Sequence, residues 1–531
     1  MTIVSSHKLA AAGLSFLAVS ISSGSADAQT VTLFGTNWIV QRFDYKAEIQ
    51  WPNPVSPFNQ QGLIRIEGAT WTANGHILVS TSHQDQSVPT SYANFVLEIA
   101  PNLNGQGNVT GFTYVRTVVA NDPNLLASPF DLRAGGVAIN SASFGAGAGG
   151  NVLVADGGAS KMLRAYDVNT GALLPLGPTG LGISMSPPLG DFTDLALNFD
   201  GAVADWRMYA LDEPSRAVDV CTLDGTVLSS FPIAGLVNPA AFPGDPKGIA
   251  YLSDVSTWPQ TFHGLGGVIL VSMGDQQPGL QAFTRAGNEI AYEPLLSSVF
   301  QTTASAPKPK IEAIAADAAT GRLFLFMEKG SLIDNWVWVL TPDCTGNGIA
   351  DALDLANGTE MDLNLNLVAD RCEPVGTAVC LADGSGTACP CANDSAPGAL
   401  GGCRNSLGSS GALRGVGTAS LSNDGLFLVG EGMPDGPAAF LQAAVAINGG
   451  SGFVFGDGLR CAGGTVVRMK VVANVNGGAY YPAAGDASVS VRGSVVAPGS
   501  WHYQVWYRDS AAFCTSSTFN LTNGLTITWN P

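Results

Sequence analysis

The chain has 531 residues and a formal net charge of −18, with 65 glycines, 30 prolines and only 12% charged side chains. A surface this acidic offers no basic face to displace counterions from a phosphate backbone, which excludes nucleic acid as a partner. So much glycine and proline among short Val, Ile and Leu runs disfavours long amphipathic helices, and the length exceeds the ~250–300 residues at which single cores stop growing; a mostly β protein of several domains is predicted.

Lys8 is the first charged residue, ahead of an apolar run from Leu9 to Ile21 and small residues at Ala26 and Ala28. A basic start, a short apolar stretch and an Ala-x-Ala site predict a cleavable secretory signal over residues 1–28. The mature protein is then expected in a periplasm, at a cell surface or outside the cell. The run is shorter than the ~20 apolar residues a bilayer span needs, and no later stretch is longer, so no transmembrane segment is expected.

Residues 29–342 repeat a unit of strand, turn and strand. Five first strands align at 66–70, 135–139, 193–197, 247–251 and 311–315, with partners at 76–80, 151–155, 208–211, 268–272 and 323–327. Third and fourth strands follow, most clearly at 163–167 and 172–174 around the turn Val168-Asn169-Thr170-Gly171. Four strands per unit, recurring at roughly 60 residues, predict a β-propeller of five blades, with six as the alternative; a β-sandwich or stacked hairpins is the rival architecture. The last copy lacks a fourth strand after 336–340, and the alternating stretch 37–49 is expected to supply it.

In such a ring the innermost strands bring Glu67, Asp194, Lys247 and Glu312 to similar heights around a central channel. They are candidates to hold a cation or a small polar ligand. Asp156, Asp212, Asp275 and Glu328 close the partner strands as a second acidic layer; solvation of strand ends by channel water is the plainer reading of both sets. The string 311–317 followed by Gly321-Arg322-Leu323 resembles the blade starts of six-bladed and phytase-like exported propellers, which implies fold and leaves activity open. No Gly-x-Ser-x-Gly elbow, His-Glu-x-x-His helix, phosphate loop or dinucleotide fingerprint occurs, and His76, His83 and His263 are scattered in sequence. Catalysis is the minority reading.

Residues 343–374 carry the most specific chemistry. A first loop runs from Asp343 to Asp354, with Asp343, Thr345, Asn347, Asp351 and Asp354 at positions 1, 3, 5, 9 and 12, Ile349 at position 7 and Gly348 at the turn. A second loop repeats this with Asp362, Asn364, Asn366, Asp370 and Glu373, Val368 at position 7, and Leu367 where the first has glycine. Calcium takes six to eight oxygens at ~2.4 Å, and alternating oxygen-bearing side chains with a carbonyl at position 7 deliver them from one short segment. The segment resembles the thrombospondin type 3 and dockerin-like calcium repeats of exported planctomycete-type proteins. That resemblance implies structural Ca2+ ordering a linker without a core, and a disulfide between Cys344 and Cys372 near the two ends. The first loop is expected to bind better, because Leu367 strains the second turn. Dockerins proper engage a cohesin through two helices; only 352–356 reads as a helical stub, so such docking is not expected.

Residues 375–531 form a cysteine-rich domain. Cys380, Cys389, Cys391 and Cys403 lie in a disulfide framework, and Cys461 is expected to bridge Cys514; zinc is disfavoured because no Cys-x-x-Cys pair or nearby histidine is present. With Cys344 and Cys372 these cysteines allow four disulfides, while Cys221 is expected to be a buried free thiol. Strands at 425–430, 465–472, 487–491 and 501–507 predict a β-sandwich. The strings 455–461, 503–509 and 519–525 resemble a C-terminal domain of exported planctomycete proteins, with no activity implied. Trp501, Tyr503, Trp506 and Tyr507 read as packed strand residues rather than a sugar platform.

Together these features predict an exported calcium-binding monomer whose propeller is a platform for a small-molecule, glycan or protein ligand. The alternatives are a hydrolase or lyase working at the channel and a structural or attachment protein of the cell envelope.

Overall fold

The computed structural model describes residues 29–45, 63–84, 92–119, 134–140, 151–156, 162–176, 182–185, 192–200, 203–233, 246–255, 257–273, 279–295, 300, 310–328, 336–396, 398–511 and 513–531. The expected leader and Asp275 lie outside them, as do the side chains of His83, Asp156 and Glu328. The chain is mostly β, built of small antiparallel sheets.

Five of these sheets lie between residues 29 and 342. Sheet 1 orders Leu63–Trp71, Ile77–Gln84, Tyr92–Leu103 and Val109–Val119; sheet 2 orders Ala134–Asn140, Asn151–Asp156, Met162–Asp167 and Ile183–Ser184. Sheet 3 orders Phe192–Asn198, Arg207–Asp212, Ala217–Cys221 and Val227–Pro232, and sheet 4 orders Pro246–Leu252, Val268–Met273, Gly279–Thr284 and Glu289–Pro294. Sheet 5 joins Lys310–Asp317, Arg322–Glu328 and Trp336–Pro342 to strands from the other end of the region, Thr36–Asp44 and Gln29–Leu33. The alternating stretch near residue 37 does pair with the strand after 336, from Trp38 opposite Pro342 to Asp44 opposite Trp336.

Second strands here are buried on both faces, as Val268–Met273 is throughout, because each sheet packs between two others. Separate apolar cores join successive sheets. Leu78, Val96, Val152 and Tyr166 join sheets 1 and 2, and Leu153, Leu163, Leu195 and Met208 join sheets 2 and 3. Tyr209, Leu211, Ile269 and Val271 join sheets 3 and 4, and Leu252, Leu270, Leu323 and Trp338 join sheets 4 and 5. A fifth core, with Ile77, Leu97, Phe324 and Val337, joins sheet 5 to sheet 1. The first strands follow the same circuit, each beside the next and that of sheet 5 beside that of sheet 1. Trp338 is fully buried in its core, where truncation to alanine costs about 3–5 kcal/mol.

The last strand of sheet 2 departs from expectation. The segment at 172–174 starts a ladder, Asp167 N–H donating to Ala172 O and Leu174 N–H to Ala165 O, but Pro175 has no N–H to continue it. Ile183–Ser184 takes the edge instead, opposite Leu163 and Met162.

Beyond residue 374 two sheets share one core. The first orders Pro374–Val375, Ala412–Val416, Phe427–Glu431 and Ala479–Tyr481; the second orders Thr377–Val379, Gly524–Trp529, Gly499–Arg508, Gly436–Ala446 and Ala462–Asn474. Leu413 and Leu428 of the first meet Phe440, Val505 and Ile527 of the second. Tyr503 and Tyr507 are fully buried there, as packed strand residues, while Trp501 and Trp506 are half-buried. The expected strand at 487–491 is a short helix, Val489–Gly493: Asp424 accepts the Ser490 N–H at 2.7 Å, and Val489 is buried while Val491 is exposed.

Four disulfides form, Cys344–Cys372, Cys380–Cys461, Cys389–Cys403 and Cys391–Cys514, which fits an oxidising, extracytoplasmic compartment. The expected bridge between Cys461 and Cys514 is corrected: each pairs back to the 380–391 segment, because Cys380 and Cys389 pack with Leu459 and Cys461 in a small core of their own. Cys221 is a buried free thiol, and burial, with Asp219 nearby, pushes it up to about 12, so it stays protonated and inert. Among the described residues no helix is long and apolar enough to cross a membrane.

Candidate metal centre

The two loops at 343–354 and 362–373 adopt one hydrogen-bond pattern. In the first, Asp343 is fully buried and its carboxylate accepts the N–H groups of Asn347 at 3.1 Å and Gly348 at 2.9 Å, and the Thr345 hydroxyl at 3.1 Å. In the second, Asp362 accepts the N–H groups of Asn366 at 3.0 Å and Leu367 at 2.9 Å. The carboxylate at position 1 thus winds each chain around itself. Position 9 then closes the turn from outside, Asp351 accepting the Cys344 N–H at 3.1 Å and Asp370 the Leu363 N–H at 3.0 Å.

Position 12 completes the match. The Asn347 amide donates to Asp354 at 2.9 Å, and the Asn366 amide donates to Glu373 at 2.7 Å, where Asn364 also donates at 3.0 Å. Asp354 is fully buried at the first turn of the helix Asp351–Asn357, and Thr359, which sequence reasoning passed over, caps it with a hydroxyl at 2.6 Å. Ile349 and Val368 occupy position 7; their N–H groups donate to Asn347 and Asn366.

Burial pushes the Asp351 carboxyl up to about 6, and the neighbouring charges of Asp343 and Asp354 raise it further against the Cys344 and Thr345 N–H groups. Burial likewise pushes Asp370 up to about 6; Asp362 and Glu373 add to this, while Arg414 and the Leu363 N–H oppose it. Asp370 Oδ2 is buried without a hydrogen-bond partner. Hard oxygens, neighbouring like charges and an orphaned buried carboxylate oxygen are what a divalent cation with oxygen ligands relieves, so the donor chemistry of both loops fits calcium; among the described residues the group of three metal-ligating side chains brought within 4.8 Å of one another is Cys344, Asp351 and Cys372. Asp343, Asn347, Asp351 and Asp354 would hold one ion; Asp362, Asn366, Asp370 and Glu373, with Asn364, would hold a second. Cys344 and Cys372 lie beside Asp351, but their disulfide removes them as metal ligands.

The loops also touch what lies on either side. Asp343 N–H donates to Asn37 O in sheet 5 at 3.0 Å, and Leu353 lies against Gly107, whose carbonyl accepts from Arg322 at 2.6 Å. On the other side Arg414 acts on Asp370, and Asn364 approaches Gly417.

The inner-strand candidates are arranged differently from expectation. In each of the five sheets the first strand bulges at one place, where the ladder register to the second strand skips Glu67, Gly136, Thr193, Lys247 with Gly248, and Glu312. Glu67, Lys247 and Glu312 are therefore equivalent and buried, but Asp194 is one step further on. Its carboxylate accepts the Leu195 N–H at 2.8 Å and, across to sheet 4, the Ile249 N–H at 2.9 Å; burial raises it well above the usual range. Lys247 is ion-paired with Glu213, and Asp212 is buried at the end of its strand. Asp194 and Lys247 are thus committed to protein partners. The His76 ring donates to the Glu98 carboxylate at 2.6 Å, beside Arg116, and the His263 ring donates to Trp258 O at 2.7 Å, so neither forms a metal or nucleophile pair with the other.

No protein family matches the chain, and no curated protein matches it. It is similar to solved structures at low identity. A protein of unknown function from Bacteroides caccae is 12% identical over 56% of this chain and 80% of its own, with a TM-score of 0.27. Regucalcin from Agrobacterium tumefaciens, described as a calcium-binding protein, is 11% identical over 54% and 92%, with a TM-score of 0.23. Aleuria aurantia lectin in complex with alpha-methyl-L-fucoside is 13% identical over 55% and 99%, with a TM-score of 0.28. Likenesses at this level assign nothing to this chain.

Proposed function

We propose that this is an exported, calcium-binding multidomain protein: a five-bladed β-propeller that serves as a ligand- or partner-binding platform, a linker ordered by structural calcium, and a disulfide-rich β-sandwich. The propeller reading draws on the circuit of five sheets and five cores and on the shared last sheet, in which strands from both ends of the region pair. Two sheets over one core support the sandwich.

The observation that carries the calcium reading is the duplicated hydrogen-bond network, in which the position-1 carboxylate accepts the turn N–H groups and the position-5 amide donates to the position-12 carboxylate in both loops, with Asp370 Oδ2 left without a partner. Bound calcium would neutralise each carboxylate set, and binding to the folded state alone stabilises by about 2.7 kcal/mol at a hundredfold excess over Kd. Thermal unfolding of the mature protein with calcium and with chelator tests this. A melting temperature several degrees higher in calcium, together with calorimetric uptake of two ions, is the expected result; identical melts at millimolar calcium would end the reading.

The channel hydrolase or lyase is the weaker alternative, since two of its four candidate residues, Asp194 and Lys247, are held by neighbours.

A further inference from the structure

The first strands of sheets 1, 3, 4 and 5 end around a cavity of about 180 Å³. Small side chains, Ala69, Ala196 and Ala250 among them, leave the space open, and Trp71, Phe199 and Tyr251 line it with aromatic surface. Each ring is fixed from behind. Trp71 stacks on Phe324 at 5.3 Å and 14°, Tyr251 stacks on Tyr209 at 5.8 Å and 14°, and Phe199 meets Trp206 edge-on at 5.1 Å and 81°. Rings held this way present a face without losing further side-chain freedom when a ligand arrives.

The polar groups beside the rings are equally organised. The Tyr251 hydroxyl donates to Asp200 Oδ2 at 2.7 Å, and Arg285 interacts with Tyr209, Tyr251 and Asp200 while reaching Gly266 O at 3.5 Å. Burial, then the Asp200 carboxylate, raises the Tyr251 hydroxyl well above its ordinary value, so it remains a donor. Asp200 is exposed.

These features constrain the ligand. Among the described residues the cavity lining holds no charged side chain, and Asp200 and Arg285, of opposite charge, act on it through Tyr251 and together add no net charge. The volume is below the ~300–1,000 Å³ of sites for drug-sized molecules, which suits one ring. A ligand that fits has an apolar C–H face for the aromatic walls and a hydroxyl to donate to the Tyr251 hydroxyl oxygen, which Asp200 orients from behind the lining. We propose that this cavity binds one neutral pyranose unit, free or at the end of a glycan; this rests on reading the circuit of sheets as a ligand-binding platform.

The test uses the full mature protein in calcium. Methyl glycosides of neutral hexoses and of N-acetylhexosamines, and in parallel hexuronates and sugar phosphates, are titrated by tryptophan fluorescence and calorimetry. Trp71→Ala, Tyr251→Phe and Asp200→Asn are compared with the parent. At least one neutral glycoside should bind, Trp71→Ala should weaken it about tenfold or more, and Asp200→Asn and Tyr251→Phe should each weaken it about two- to tenfold, the range for one lost hydrogen bond. Asp200 is at the surface, so Asp200→Asn decides the matter even if Trp71→Ala fails to fold. The proposal is overturned if no neutral glycoside binds folded protein, or if one binds with an affinity that Asp200→Asn and Tyr251→Phe leave unchanged. Binding of the charged sugars alone would also overturn it, yet leave the platform reading intact; the calcium-dependent melt reports on the linker independently.

Discussion

The loops at 343–354 and 362–373 reach one conformation with different residues. Positions 4 and 6 are left-handed in both. The first loop fills them with Gly346 and Gly348, at φ 71° and 80°, and the second with Leu365 and Leu367, at φ 59° and 69°. A side chain in that region costs ~1–2 kcal/mol, and both leucines are exposed, so burial offsets none of it. What holds the second loop is Asp362, whose oxygens accept the N–H groups that Asp343 accepts in the first. The carboxylate network, more than the glycine, dictates this turn.

The largest test of that statement removes the network. Asp343→Ala and Asp362→Ala each remove the acceptor of two turn N–H groups, and each should destabilise the protein by about 1–3 kcal/mol in denaturant unfolding and abolish one of the two proposed calcium sites. Equal losses would sharpen the equivalence of the loops; a loss from Asp343→Ala alone would break it.

Acidification is the next lever. Asp351 and Asp370 sit at about 6, above the ordinary ~3.9, so the calcium-free folded state takes up their protons before the unfolded state does. Their contribution to calcium-free stability is fully present below about pH 3.9 and is lost as pH rises through about 6. Calcium needs the ionised form, so the melting-temperature gap between calcium and chelator should shrink from about pH 7.5 to pH 5. A gap that persists unchanged at pH 5 would show that position 9 is not a ligand in either loop.

The smallest expected effect is conformational. Leu367→Gly should stabilise by up to about 1 kcal/mol and tighten calcium at the second loop, whereas Gly348→Leu should cost about the same in the first. Two neutral outcomes in calorimetric melts would mean that the turn tolerates either residue.

Strand placement was legible wherever apolar residues recur between turn residues, as at Lys310–Asp317 and Val268–Met273, because burial on both faces demands such runs. Chain segments interrupted by local chemistry were not. Ala172 to Leu174 reads as a strand until Pro175 ends the ladder, and the alternating 487–491 gives way to a helix anchored by Asp424, a residue far away in sequence. Cysteine pairing depends on which segments pack, so Cys461 and Cys514 looked like mates and are not. Bulges are invisible in one sequence. Alignment on apolar residues set Asp194 beside Glu67, and the extra residue at Thr193 moved it to a different role. The same offset hid the equivalence of Trp71 and Tyr251 at the ends of their strands. The repeated conformation of the loops at 343–354 and 362–373, by contrast, was legible to the position, since the side chains that wind each turn are local in sequence.

The Cys344–Cys372 bridge closes a covalent ring across a sequence separation of 28 that contains nearly all of both loops. One flank of that ring rests on sheet 5 through Asp343, and the other leads directly into the C-terminal sheets at Pro374. A protease that cuts any single peptide bond between the two cysteines therefore opens the ring without parting the molecule. The N-terminal and C-terminal halves would still travel as one species until a reductant reached the bridge, so the two ends stay tethered through this segment.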